Sequence, residues 1–112
     1  MSHITDDHMR QMLATAKEYT VVLLKAGPNL AAAGAREIIW EHARRNFELR
    51  AKGLLAIVCP VNDGSELTGV GVFDAPPAEV VKLMDKDPGV RNGTFTYEVH
   101  PCRSFPGDGL PG

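Results

Sequence analysis

Long apolar runs are missing from this sequence. No stretch approaches the roughly 20 consecutive apolar residues that a bilayer crossing requires, so a membrane partner is not expected. From Met1 to Lys17 the chain carries acids and histidines where a secretory leader needs an apolar centre, which points to a cytoplasmic protein. Cysteine is scarce too. Its two copies, Cys59 in an apolar run and Cys102 in a Pro/Gly-rich tail, are too few and too differently placed for a disulfide framework. Charge of one sign is also lacking: 12 basic residues are interspersed among 14 acidic ones, for a net charge of −2, which offers no basic surface to a phosphate backbone. A nucleic-acid partner is therefore not expected. No metal site is expected either, because no Cys or His cluster has zinc-ligand spacing and His3 and His8 stand alone near the N-terminus. Gly69-Val70-Gly71 lacks the third glycine and the following helix of a dinucleotide fingerprint, so no cofactor is expected.

What is present describes one ordinary folded domain. At 112 residues there is room for one core, and 44% hydrophobic with 23% charged residues excludes a disordered or fibrous class. Ile4 to Lys17 spaces Met9, Met12, Leu13 and Ala16 as a short helix, with Thr5 and Asp6 as caps, and residues 1–18 read as an N-terminal extension. Tyr19 to Ala26 is β-branched and aromatic, then stopped by Gly27-Pro28-Asn29, which predicts a first strand. Ala31 to Lys52 predicts a helix with Gly53 as its C-terminal stop. On that helix Ala35, Ile38, Ile39, His42, Ala43, Asn46 and Leu49 share one face, while Glu37, Glu41, Arg44, Arg45, Glu48 and Lys52 lie opposite.

Leu54 to Pro60 and Gly69 to Phe73 predict two further strands around an Asn62-Asp63-Gly64 turn. A second helix follows, capped by Asp74, with Pro76 and Pro77 in its first turn and Val80, Val81, Leu83 and Met84 on its buried side. After the turn Asp87-Pro88-Gly89, the segment Gly93 to His100 alternates Phe95, Tyr97 and Val99 with polar residues, as a half-exposed strand does. Residues 19–101 thus form the domain and 102–112 a tail. The order strand, helix, strand, strand, helix, strand gives a ferredoxin-like βαββαβ, α+β fold: a four-stranded antiparallel sheet with both helices on one face. Both alternating sets of the first two strands are apolar, and helices on one face cover only one set. The second set predicts a homodimer through the sheet face.

An early apolar strand, a helix carrying His42, and Leu54-Leu55-Ala56 running to Cys59-Pro60 together resemble the YCII family. Phe73-Asp74-Ala75-Pro76, Asp87-Pro88 with Val90, and Gly93 before the last strand extend the resemblance across roughly Tyr19 to Pro101. It implies the dimeric α+β barrel fold and a His–Asp pair, which fall here on His42 and Asp87. Some relatives are implicated in the breakdown of aromatic compounds, including dehydrochlorination; nothing in these residues selects that substrate class. The N-terminal extension and the segment from Cys102 to Phe105 lie outside the family pattern.

A histidine oriented by a carboxylate on its far ring nitrogen is the minimal general base for moving a proton on a small organic substrate. His42 with Asp87 fits that role; so does a core histidine satisfied by one hydrogen bond. Asp87 before Pro88 is equally a turn starter whose side chain bonds backbone two residues on, and the two roles are compatible. Asn46, one turn beyond His42, is placed to bind a ligand or His42 itself. Phe95 and Tyr97 read as core or dimer contacts, His100 and Glu98 as a solvated edge, and Cys102 as a spectator without an activating base. The expectation is a small-molecule enzyme of isomerase or lyase type without a cofactor, His42 and Asp87 being catalytic and Asn46 substrate-binding. The alternative is a non-catalytic homodimeric module that binds a small molecule or regulates another protein.

Overall fold

The computed structural model describes residues 3–112, so the first two residues of the expected N-terminal extension lie outside it. The chain runs α1 (Asp6–Ala14), β1 (Lys17–Ala26), α2 (Ala35–Ala51), β2 (Leu55–Pro60), β3 (Leu67–Phe73), α3 (Pro77–Asp85), α4 (Pro88–Arg91) and β4 (Phe95–Ser104). The strands form one sheet in the order β2-β3-β1-β4, and every neighbouring pair is antiparallel. This is the ferredoxin-like α+β arrangement that the element order predicts.

Period-two alternation sets the faces. In β1, Thr20, Val22 and Leu24 are buried while Val21 and Leu23 are half-buried on the opposite face. In β2 the register shifts between Leu55 and Ile57, which leaves Ala56 as the extra residue. The shift changes the phase expected there: Leu55 and Val58, opposite Phe73 and Gly71, now point the same way, and Ile57 opposite Val72 points the other. The core on the helix side joins Val22, Leu24, Leu55, Phe73 and Phe95 from the sheet to Leu49, Val80 and Met84 from the helices. Each such side chain contributes roughly 1.5–3 kcal/mol by leaving water.

Several boundaries differ from the sequence reading. α2 begins at Ala35, not Ala31, because Gly34 adopts φ +83° and residues 31–34 turn instead of winding. Its far end follows expectation: Gly53 is left-handed, with the Leu54 N–H on the Leu49 carbonyl and the Gly53 N–H on the Arg50 carbonyl. Arg45, expected on the solvent side, lies partly buried and donates from a guanidinium nitrogen to the Leu83 carbonyl at 2.7 Å, near the C-terminus of α3. Asp74 does not cap α3. Pro76 stands at that position, and Asp74 instead pairs with Lys17 at 2.9 Å. Leu67 and Thr68 belong to β3. β4 does not end at His100: it continues through Pro101 to Ser104 along Lys17 to Thr20, and Pro101 is accommodated because β4 is an edge strand.

Candidate functional site

Ala35, His42 and Leu49 are the buried residues of α2, spaced seven apart and therefore in line along the helix. His42 is the ionisable member of that line. It is 8% exposed and faces the sheet at the middle of the helix.

Asp87 reaches it from the loop after α3. Pro88 opens α4, with Asp87 as its N-cap in an extended backbone conformation. One carboxylate oxygen accepts from the backbone N–H groups of Gly89 at 2.9 Å and Val90 at 3.2 Å. Both oxygens also lie on His42 Nδ1, at 2.8 and 2.9 Å. Asp87 is 2% exposed, and its acceptors meet three N–H donors when Nδ1 carries the imidazole proton. The turn role and the histidine-contacting role therefore coincide in one side chain. Gly89 makes this fit: a Cβ there would lie 2.6 Å from the Phe95 ring and 3.0 Å from the Asp87 carboxylate.

With Nδ1 donating to Asp87, Nε2 keeps its lone pair. The Asn46 side-chain amide approaches it at 3.3 Å as donor, and the Phe95 ring lies 4.8 Å from the imidazole, tilted by 49°. A neutral imidazole so arranged presents a basic nitrogen away from the carboxylate, which is the geometry of a general base.

A cavity of about 240 Å³ opens between α2 and the sheet, and His42 and Asn46 line it. Asp87 does not, so the carboxylate stands behind the ring. The other walls are almost entirely apolar: Ile39, Ala43 and Phe47 from α2, Val22, Leu24, Leu55 and Val58 from the sheet, with Met84 and Phe95. Thr68 and Cys59 add the remaining polar groups, and the Thr68 hydroxyl is engaged with the Leu24 carbonyl at 3.1 Å. The volume falls just below the roughly 300–1,000 Å³ of sites for drug-sized ligands. A molecule of about one ring fits that space.

Two glycines create the space. Gly69 and Gly71 are two apart in β3 and share the face beneath α2, where any side chain would enter the cavity. At Gly71 a Cβ would meet a Leu55 methyl at 3.2 Å; at Gly69 it would touch Leu24 at 3.8 Å. In the sequence both glycines are placed in a strand and rejected as a nucleotide fingerprint, without being marked as site residues. The signal was their parity inside a strand, since Gly at alternate positions hollows one face.

Other sequence candidates stand elsewhere. Tyr97 donates its hydroxyl to Asp85 at 2.6 Å, and burial, then this bond and the Asp85 charge, push its phenol up to about 12. Glu98 and His100 are exposed and paired at 3.1 Å, with Lys25 on Glu98 at 2.6 Å, and this holds the Glu98 carboxyl below its ordinary range. Cys59 and Cys102 are free and half-buried. Among the described residues, no group of three or more His, Cys, Asp or Glu side chains is placed to hold a metal ion, and no helix is long and apolar enough to cross a membrane.

No family model matches the sequence, and no curated protein does. Among solved structures, the chain is similar to 5-chloro-2-hydroxyhydroquinone dehydrochlorinase from Burkholderia phenoliruptrix AC1100, solved in complex with 2,5-dihydroxybenzoquinone. The TM-score is 0.53 at 17% identity, over 75% of this chain and 91% of that one. That enzyme has the dimeric α+β barrel fold, and this chain shares its α+β architecture with one four-stranded antiparallel sheet. At this identity the likeness speaks for the fold, and the chemistry must be argued from the side chains.

Proposed function

We propose that the chain is a cofactor-independent, YCII-type enzyme that moves a proton on a small, largely apolar organic molecule, in an isomerisation or an elimination. One observation carries the reading: His42 lines an apolar cavity while its Nδ1 is held from behind by a buried carboxylate. In this scheme Nε2 takes a proton from the bound molecule, and the imidazolium so formed is stabilised by Asp87. The Asn46 amide, displaced from Nε2 as the proton arrives, turns to an oxygen of the substrate that gains charge. Return of the proton to a neighbouring atom completes an isomerisation; loss of a leaving group with its electron pair completes an elimination. The quinone bound by the dehydrochlorinase favours an oxygenated ring as the substrate, since a planar ring suits a floor without side chains at Gly69 and Gly71.

The same reading pairs two copies through the outer sheet face, where Val21, Leu23, Ile57, Val70 and Val72 stay half-buried in the single chain. The test is a screen of small aromatic acids, lactones and phenols, read by NMR shifts of His42 and by turnover. A compound that shifts His42, is turned over by the wild type and is not turned over by a folded His42→Ala variant is expected. Binding that shifts His42 while turnover survives His42→Ala would refute the catalytic role. Silence of His42 toward every compound favours the alternative, a non-catalytic homodimeric module.

A further inference from the structure

α1 buries none of its residues in the fold of its own chain. Every residue from Asp6 to Ala14 is exposed, although nine residues fall short of the roughly 12–15 at which an isolated helix begins to persist in water. Met9, Met12 and Leu13 lie on one side of it and are 46%, 42% and 58% exposed. The protein measures 56 × 30 × 24 Å with a radius of gyration of 16.4 Å, where about 13 Å is usual for this length. The molecule is thus more extended than a compact domain of its length.

A second apolar surface lies on α2. Trp40 and Phe47, seven residues apart and hence in line, are 66% and 57% exposed, with Ala43 between them and Ile39 alongside. Two large aromatic rings exposed two turns apart on one helix face are unusual on a free surface. One flank of this stripe carries Arg36 and Arg50 and the other Glu37, Arg44 and Glu48, whereas α1 opens with Asp6 and Asp7. The lengths are also compatible: the seven steps from Trp40 to Phe47 rise about 10 Å and the eight from Asp6 to Ala14 about 12 Å.

We propose that α1 of one copy docks on the Trp40–Phe47 face of α2 in a second copy, and reciprocally. Met9, Met12 and Leu13 then cover the two rings, and the acidic end of α1 meets the arginine flank. Both surfaces are exposed together in one chain, so the contact is made between chains. A second copy brings both surfaces at once, and a two-fold arrangement satisfies each of them and closes. Ile39, Ala43 and Phe47 also line the cavity, so the docked helix borders its mouth and the partner contributes to the rim. That last consequence rests on the functional reading above; the docking itself does not.

Trp40 is the sole tryptophan of the chain, so its emission reports on its own coverage. A full-length reporter with Met12→Asp and Leu13→Asp keeps Trp40 and loses the docking face of α1. Both sites are exposed, so the body should fold unchanged, which circular dichroism checks. A full-length donor with Trp40→Phe keeps α1 and emits nothing in this range. Wild type is expected to emit at shorter wavelength than the reporter, and excess donor should shift the reporter back toward wild type. A donor that also carries Met12→Asp should not. A reporter unmoved by donor overturns the proposal, whether wild-type emission is already that of exposed indole or is shifted by α1 of the same chain. The assay needs neither ligand nor turnover, so its failure is separate from any failure of the catalytic reading.

Discussion

Asp87→Asn separates what the carboxylate does for α4 from what it does for His42. Asparagine has almost the same shape and is a good N-cap, so its carbonyl oxygen can keep the Gly89 and Val90 N–H groups that Asp87 now holds at 2.9 and 3.2 Å. That orientation puts the amide NH2 in the place of the other carboxylate oxygen, now 2.9 Å from His42 Nδ1. Two donors would then face each other, and the conflict is relieved when the imidazole proton moves to Nε2. A charge-assisted bond is lost, and such bonds contribute about 1.5–3 kcal/mol. For a domain of this size about 2 kcal/mol corresponds to a fall in Tm of roughly 10 °C. Asp87→Ala removes the cap as well, for about 0.5–2 kcal/mol more. Urea denaturation of the three proteins gives the ranking, and 15N shifts of the imidazole nitrogens give the tautomer. Wild type should carry its proton on Nδ1 and the Asn variant on Nε2. An Asn variant with unchanged stability and an unchanged tautomer refutes the reasoning.

Gly89→Ala places a Cβ 2.6 Å from the Phe95 ring and 3.0 Å from the Asp87 carboxylate, and should cost about 1–3 kcal/mol by overpacking. A denaturation midpoint equal to that of wild type would show that the loop yields freely. Thr20 is fully buried and donates to the Ala75 carbonyl at 2.7 Å, so Thr20→Val should cost about 1–3 kcal/mol while Thr20→Ser retains the bond; equal losses in both variants would assign the effect to packing. The Tyr97 phenol, raised from 10.0 to about 12, is favoured in its neutral form by the folded state. Its stabilisation is fully present below pH 10 and is lost as pH climbs toward 12. Stability–pH curves for wild type and Tyr97→Phe should therefore converge across that window, and curves that stay parallel would contradict it.

Much of the architecture was legible because each signal was local. Tyr19 to Ala26 is β-branched and aromatic up to a Gly-Pro-Asn stop, Phe95 to Val99 alternates with period two, Gly53 ends a helix after its basic last turn, and the element order admits few topologies. The errors arose where a non-local contact overrides local preference. Pro101 reads as the end of a strand, yet β4 lies at the sheet edge and pairs onward with Lys17 to Thr20. Arg45 reads as solvated, yet it reaches the Leu83 carbonyl on α3. The bulge at Ala56 leaves no mark in an all-apolar run, because either phase of the alternation is equally hydrophobic. Of the site, periodicity put His42 and Asn46 on the inner face of α2, but their distance from Asp87 depends on how the α3–α4 loop packs. The short helix α4 looks like a turn in the sequence because four residues are too few to show a period.

The cavity argues for a ligand more strongly than the His–Asp pair alone. A buried histidine with one carboxylate partner is a stable core arrangement that asks for no empty space beside it. A strand, for its part, is weakened by glycine, which loses more conformational freedom on folding and packs nothing against its neighbours. Here two glycines stand at alternate positions of β3, on the face that looks toward His42 and Asn46. Selection for stability alone would favour side chains that fill about 240 Å³ of apolar space. A Cβ at Gly69 would find ordinary contacts, the nearest atom being the Cys59 carbonyl oxygen at 3.5 Å, so sterics do not forbid alanine there. Gly69→Ala should therefore stabilise the fold while reducing the affinity of whatever the cavity binds. A variant that is more stable and binds equally well would place the ligand elsewhere, whereas a more stable variant with weakened binding ties the glycine to the site.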